Sequence, residues 1–230
     1  MTSPSSAATS QTSSTPPTST STSSSTRPAS TTTSSTSTAS FAATAQPLTA
    51  WRRQRMIDTG AWNTACSVPF DDLRLVTLTY WGFDDTAHDG QLVLHRDAVD
   101  AVVTAMREVY AARFPIRRMV TVEAYGADDE SSMRDDNTSA FNGRFVQDTT
   151  TCSQHAYGRA IDIDPLENPM IVDGRVSPST AGAFVDRSQD VPGMIHPGDA
   201  VVRAFAAVGW SWGGDWHSLK DYQHFSANGR

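Results

Sequence analysis

Ser153-Gln154-His155-Ala156-Tyr157-Gly158-Arg159-Ala160-Ile161-Asp162 sets a histidine and an aspartate seven positions apart on either side of a glycine. That spacing is too long for neighbouring helical turns to bring the two side chains together, so they meet only if a loop turns into a strand. Gly158 lets the backbone turn without a Cβ. With Arg159 to Asp164 read as a strand, Ile161 and Ile163 point into a core while Ala160, Asp162 and Asp164 point the other way. Asp162 then lies on a cleft face beside a small residue.

A second cluster near the C-terminus, Asp221-Tyr222-Gln223-His224, answers to the first. Two histidines and a carboxylate are the ligands that a catalytic zinc prefers when one position is kept open for water. Two neutral imidazoles and one carboxylate leave the ion with net positive charge, enough to lower the pKa of its water to about 7. Asp221 precedes His224 by three residues and is the candidate general base; Asp215 is its competitor. Ligation by Cys152 is a weaker option, because a lone cysteine lacks the usual paired spacing. His88, His95, His196 and His217 read as surface or satisfied core residues, with His217 also placed to line a cleft between Trp216 and Asp221. The run Gly209-Trp210-Ser211-Trp212-Gly213-Gly214-Asp215-Trp216 reads as core and cleft wall.

Working outward, Leu73 to Tyr80 is rich in β-branched and aromatic residues and predicts a buried strand. Gln91 to His95, after the turn signal Asp89-Gly90, predicts a partner joined to it by a loop. Asp97 to Phe114 shows one apolar helical face, Val99, Val102, Val103, Met106 and Tyr110, with Asp97 as cap and Pro115 as terminator. Met119 to Tyr125 and Gln223 to Ser226 predict further strands, and Asp199 to Val208 a helix ended by Gly209. Pro165 to Pro197 reads as mostly loop. The expected fold class is α+β, a small antiparallel sheet with helices packed on it in a single domain.

Of the 230 residues, 1–50 form a Ser/Thr/Pro-rich tract with almost no large apolar side chains, expected to be disordered, and 51–230 carry enough apolar residues for one core. A net charge of -7 gives no basic field for a polyanion, so nucleic acid is not an expected partner. No apolar run is long enough to cross a bilayer, and the N-terminus lacks the basic start and apolar core of a secretory signal, so an export route is not visible. Cys66 and Cys152 can pair in an oxidising compartment or stay free and buried.

The chain resembles the M15 family of zinc D-Ala-D-Ala carboxypeptidases and L-alanyl-D-glutamate endopeptidases. The resemblance rests on S-x-H-x-x-G-x-A-x-D, complete from Ser153 to Asp162, on W-G-G-D-W from Trp212 to Trp216 and on D-x-x-H-F from Asp221 to Phe225, within a span from Cys66 to Ser226. It implies Zn2+ as cofactor, His155, Asp162 and His224 as its ligands, and Asp221 as catalytic base. It also implies an arginine upstream of the first histidine, assigned to Arg144, to grip a substrate carboxylate or steady an oxyanion. A cysteine often precedes that arginine in the family, whereas this chain has Gly143, which puts a family-type disulfide in doubt. Peptidoglycan stem peptides are the implied substrates and the outside of the cytoplasmic membrane the implied location, with the Ser/Thr tract as a flexible tether and a monomer expected. The alternative is a non-catalytic zinc-bearing module of the same fold that binds wall peptide or a partner.

Overall fold

The computed structural model describes residues 40–229. The expectation of disorder over 1–50 lies largely outside these residues, but the folded domain begins before Trp51. Strand β1, Ala43–Pro47, pairs antiparallel with the first predicted strand, and α1, Ala50–Thr59, follows with Thr49 as its N-cap. Low hydrophobicity hid both elements. β1 is a mostly exposed edge strand, and α1 buries only Met56.

β2, Leu73–Gly82, and β3, Ala87–His95, form one long antiparallel hairpin in register from Leu73↔His95 to Trp81↔Ala87. The sequence places the start of β3 four residues late because Asp89-Gly90 imitates a turn. Gly90 instead pairs with Leu78 and leaves room for the Met119 side chain. Helix α2, Val99–Ala111, buries Val102, Ala105, Met106 and Val109. It is preceded by a single 3-10 turn over Arg96–Ala98, whose cap is His95 and not Asp97, the imidazole accepting from the Asp97 amide.

β4, Pro115–Ile116, joins β2 in parallel. The strand expected over Met119 to Tyr125 shrinks to β5, Arg118–Met119; Val122–Tyr125 is a 3-10 turn ended by Gly126 at φ 63. The turn carries Glu123 into an ion pair of 3.3 Å with Arg52 of α1, a contact invisible to strand periodicity. Helix α3, Asp129–Arg134, leads to β6, Asn137–Thr138, parallel to β5.

β7, Ala160–Asp162, is the centre of the second half. The long segment read as loop contains the hairpin of β8, Met170–Val172, and β9, Arg175–Ser177, and a 3-10 turn over Ala181–Phe184. Helix α4, Ala200–Ala207, is capped by Asp199, which accepts from the Val202 amide, and the chain leaves it through Gly209 at φ 81. β10, Ser211–Trp212, β11, Lys220–Asp221, and β12, His224–Ser226, finish the domain. β12 lies between β10 and β7, and β11 pairs with β8. The architecture is α+β: small sheets, mostly antiparallel, with helices against them.

The main core joins β2 and β3 to α2, α4, Ile161, Ile163, Trp212 and Phe225. Phe205 of α4 stacks on Phe225 with ring centroids 4.4 Å apart, so the strand carrying His224 is held from beneath by aromatic burial. A disulfide, Cys66–Cys152, spans 86 residues of sequence and ties the chain after α1 to the loop leading into Ser153. Gly143 lies beside that tether. A Cβ there would come within 2.7 Å of the Ala61 carbonyl oxygen, so a larger residue fits at 143 only if the backbone shifts. Replacing Cys66 and Cys152 together by serine is expected to lower the unfolding free energy by about 2–4 kcal/mol, read by urea denaturation.

Candidate metal centre

Ser153 begins the site by capping a 3-10 turn over Gln154–Tyr157, its hydroxyl accepting from the His155 amide at 3.3 Å. Gly158 ends that turn at φ 64, and a Cβ there would approach the His95 backbone nitrogen to 2.5 Å. The close approach lets the Gly158 carbonyl accept from the His95 amide at 2.9 Å, docking the turn on β3. The required residue is glycine on both counts.

The ring of His155 is oriented by its Nδ1–H, which donates to the Ala140 carbonyl. That bond leaves Nε2 with a lone pair, 3.1 Å from Asp162 Oδ2 and 3.3 Å from His224 Nδ1. His224 and Asp162 are direct cross-strand partners in the β12–β7 register, and His224 Nδ1 lies 3.0 Å from Asp162 Oδ1. On its other side β7 exchanges two backbone hydrogen bonds with Ser139, of 2.9 and 3.0 Å. Asp162 is thus fixed from both edges of its strand.

These three buried side chains offer ligand atoms all within 4.8 Å of one another, and they are the one such group among the described residues. Three lone-pair-bearing atoms face each other out of water, an arrangement stable only with a proton or a cation between them. Two imidazole nitrogens and a carboxylate oxygen suit zinc, and the Ala140 carbonyl supplies the second hydrogen bond that ligating histidines usually make. Burial disfavours charge on Asp162, yet the His155 and His224 rings outweigh it and hold the carboxyl below its usual range.

Asp221 enters from β11, with Oδ1 buried and without a hydrogen-bond partner. Burial pushes its carboxyl up to about 6, with His224 pulling it down and the Asp162 charge pushing it up. Trp216 stands beside His224, ring centroids 5.3 Å apart, as a wall of the site. Asp215 and His217 are exposed, and Cys152 is taken by the disulfide. Asp164, two residues beyond Asp162, does not join the group. The chain turns at φ 43, and Asp164 Oδ1 accepts from the Arg117 amide. Burial and the Asp136 charge raise its pKa well above normal.

Arg144 lies on the segment that flanks the His155 turn, its carbonyl accepting from the Ser153 amide at 3.0 Å, and its Nη2 pairs with Asp129 at 2.9 Å. Neither Asp129 nor the Ala140 carbonyl is marked by any sequence pattern, and a backbone group leaves no trace in residue identity. Ser153 was readable as a cap from its place ahead of the turn.

The sequence model of the D-alanyl-D-alanine carboxypeptidase family matches residues 147–227, a span that contains His155, Asp162, Asp221 and His224 but neither Asp129 nor Arg144. Neither the curated proteins nor the solved structures yield a match. The match over residues 147–227 and the three side chains brought together inside that span lead to one conclusion: this part of the chain is similar to the D-alanyl-D-alanine carboxypeptidases of the M15 family, which supports an M15-type peptidase.

Proposed function

We propose that this peptidase is zinc-dependent and hydrolyses an amide bond in peptidoglycan stem peptides, as a D-alanyl-D-alanine carboxypeptidase or an L-alanyl-D-glutamate endopeptidase does. The observation that carries the reading is the meeting of His155 Nε2, His224 Nδ1 and the Asp162 carboxylate as one buried group, with a further buried carboxylate, Asp221, that has an unpartnered oxygen. His155, Asp162 and His224 would hold the zinc, which would supply Lewis acidity to acidify a water and polarise a carbonyl.

The protein's own groups do the rest. Asp221 accepts the proton of the attacking water at its carboxylate and returns it to the leaving amine. A pKa near 6 suits this double duty, because the group is ionised at neutral pH and still basic enough to take a proton. Arg144 holds negative charge on the substrate carboxylate or on the oxyanion of the tetrahedral intermediate. The Ser153 cap and the Ala140 carbonyl keep His155 in one tautomer and one orientation throughout.

The substrates exist outside the cytoplasmic membrane, and the Cys66–Cys152 disulfide supports an extracytoplasmic site of action, since such bonds persist in oxidising compartments. No helix among the described residues is long and apolar enough to cross a membrane. The Ser/Thr-rich sequence ahead of β1 serves in this reading as a tether to the catalytic domain.

Metal analysis of the purified protein is expected to find one zinc per chain. His155→Ala or His224→Ala each should lose most of it, and adding zinc to the metal-free wild type should raise its melting temperature. Asp221→Asn is expected to keep zinc content near normal and to lower kcat by about a hundredfold or more, the loss typical of an acid–base group. Mass spectrometry of defined stem peptides then reads the bond cut: loss of the terminal D-Ala alone, or scission between L-Ala and D-Glu. Intact peptides with bound zinc would instead favour the binding module. On the acid side, kcat/KM should fall tenfold per pH unit below a limb set by Asp221. The limb lies no higher than about 6, because a bound cation stabilises the carboxylate and moves it down.

A further inference from the structure

The segment that carries Arg144 makes a tight turn, the Arg144 amide donating to the Asn142 carbonyl at 2.9 Å. The backbone of Gly143 between them packs on the chain after α1, its amide donating to the Ala61 carbonyl at 2.8 Å. The side chains on either side of Gly143 converge on one carboxylate. Asp129 Oδ2 lies 2.9 Å from Arg144 Nη2, and Asp129 Oδ1 accepts from Asn142 Nδ2 at 3.4 Å. Asp129 itself is held in the first turn of α3, where Asp128 caps the helix by accepting from the Ser131 amide at 2.7 Å.

The same segment supports the candidate metal centre. Ala140 receives the His155 ring N–H, the Asn142 amide donates to the His155 carbonyl at 3.2 Å, and the Arg144 carbonyl accepts from the Ser153 amide. Arg144 keeps donors that Asp129 does not use; its Nε–H is buried and unpartnered. An untethered arginine gives up several side-chain rotations each time it grips an anion, whereas one already paired along one edge has given them up in advance.

From this arrangement we infer that Asp129 is a positioning residue, fixing the Arg144 guanidinium relative to the His155 turn so that its remaining N–H groups receive the substrate anion. The inference rests on the role given to Arg144 in the proposed function. Asp129 acts through Arg144 and Asn142 and not on the reacting atoms.

The test is a double-mutant cycle on a stem peptide with the zinc-loaded protein: Asp129→Ala, Arg144→Ala and both together, with kcat and KM measured separately. Asp129→Ala should raise KM about tenfold, the scale of one charge-assisted hydrogen bond, with zinc content unchanged. In the Arg144→Ala background the same change should add nothing, since its effect runs through that side chain. An unchanged KM, or an equal loss in both backgrounds as a merely structural role would give, overturns the inference.

Side-chain nitrogen NMR of Arg144 supplies a readout free of catalysis. Guanidinium rotation should be slow in the wild type and fast in Asp129→Ala, and no difference between them would overturn the anchoring itself. If the wild type cleaves no stem peptide while the NMR difference is seen, the anchoring stands and the substrate role falls together with the peptidase reading.

Discussion

The antiparallel register between β7 and β12 is the constraint on which the site depends. It sets Asp162 opposite His224, Ile161 opposite Phe225 and Ala160 opposite Ser226. Because side chains alternate along a strand, one pairing aims the two polar residues at each other while sending Ile161 and Phe225 into the core. A slip of one residue would exchange those faces and bury a carboxylate among aliphatic side chains. Apolar burial under α4, through Phe205 on Phe225, therefore fixes the geometry of the polar group above it.

His155 is brought to this pair by different means. It sits on no regular strand but on a 3-10 turn, held by the Ser153 hydroxyl at its start, by Gly158 docked on β3 at its end and by the Ala140 carbonyl at its ring. The disulfide ends one residue before Ser153, so the covalent cross-link and the cap act on the same short stretch. Gly143 packs closely on the chain after α1. The place that a Cβ would need at 143 is filled by Ser67 and the Ala61 carbonyl.

The charge balance of the site follows from what surrounds each carboxyl group. Asp162, between two imidazoles, is held in the charged form; Asp221, buried with one unpartnered oxygen, is raised to about 6; Asp164 is raised further by burial and by Asp136. Three aspartates of one small region thus have three different tendencies, set by neighbours and not by residue type. Carboxyl groups close in the fold, two of them only two residues apart in sequence, are in this way driven in opposite directions.

The convergence of His155, Asp162 and His224 was legible in the sequence because it is carried by residue type and spacing: a histidine and an aspartate around a turn-forming glycine, and a second histidine ahead of an apolar strand residue. Strands β2 and β7 and helices α2 and α4 were legible for a similar reason, since an apolar stripe with a fixed period has few places to go. Helix α1 and strand β1 were not, because they bury too little to leave a pattern, and the turn at Val122–Tyr125 was misread because its conformation is set by Glu123 reaching Arg52, a residue 71 positions away. The Cys66–Cys152 pairing and the hold of Asp129 on Arg144 likewise depended on the tertiary structure, which alone brings segments remote in sequence within bonding distance.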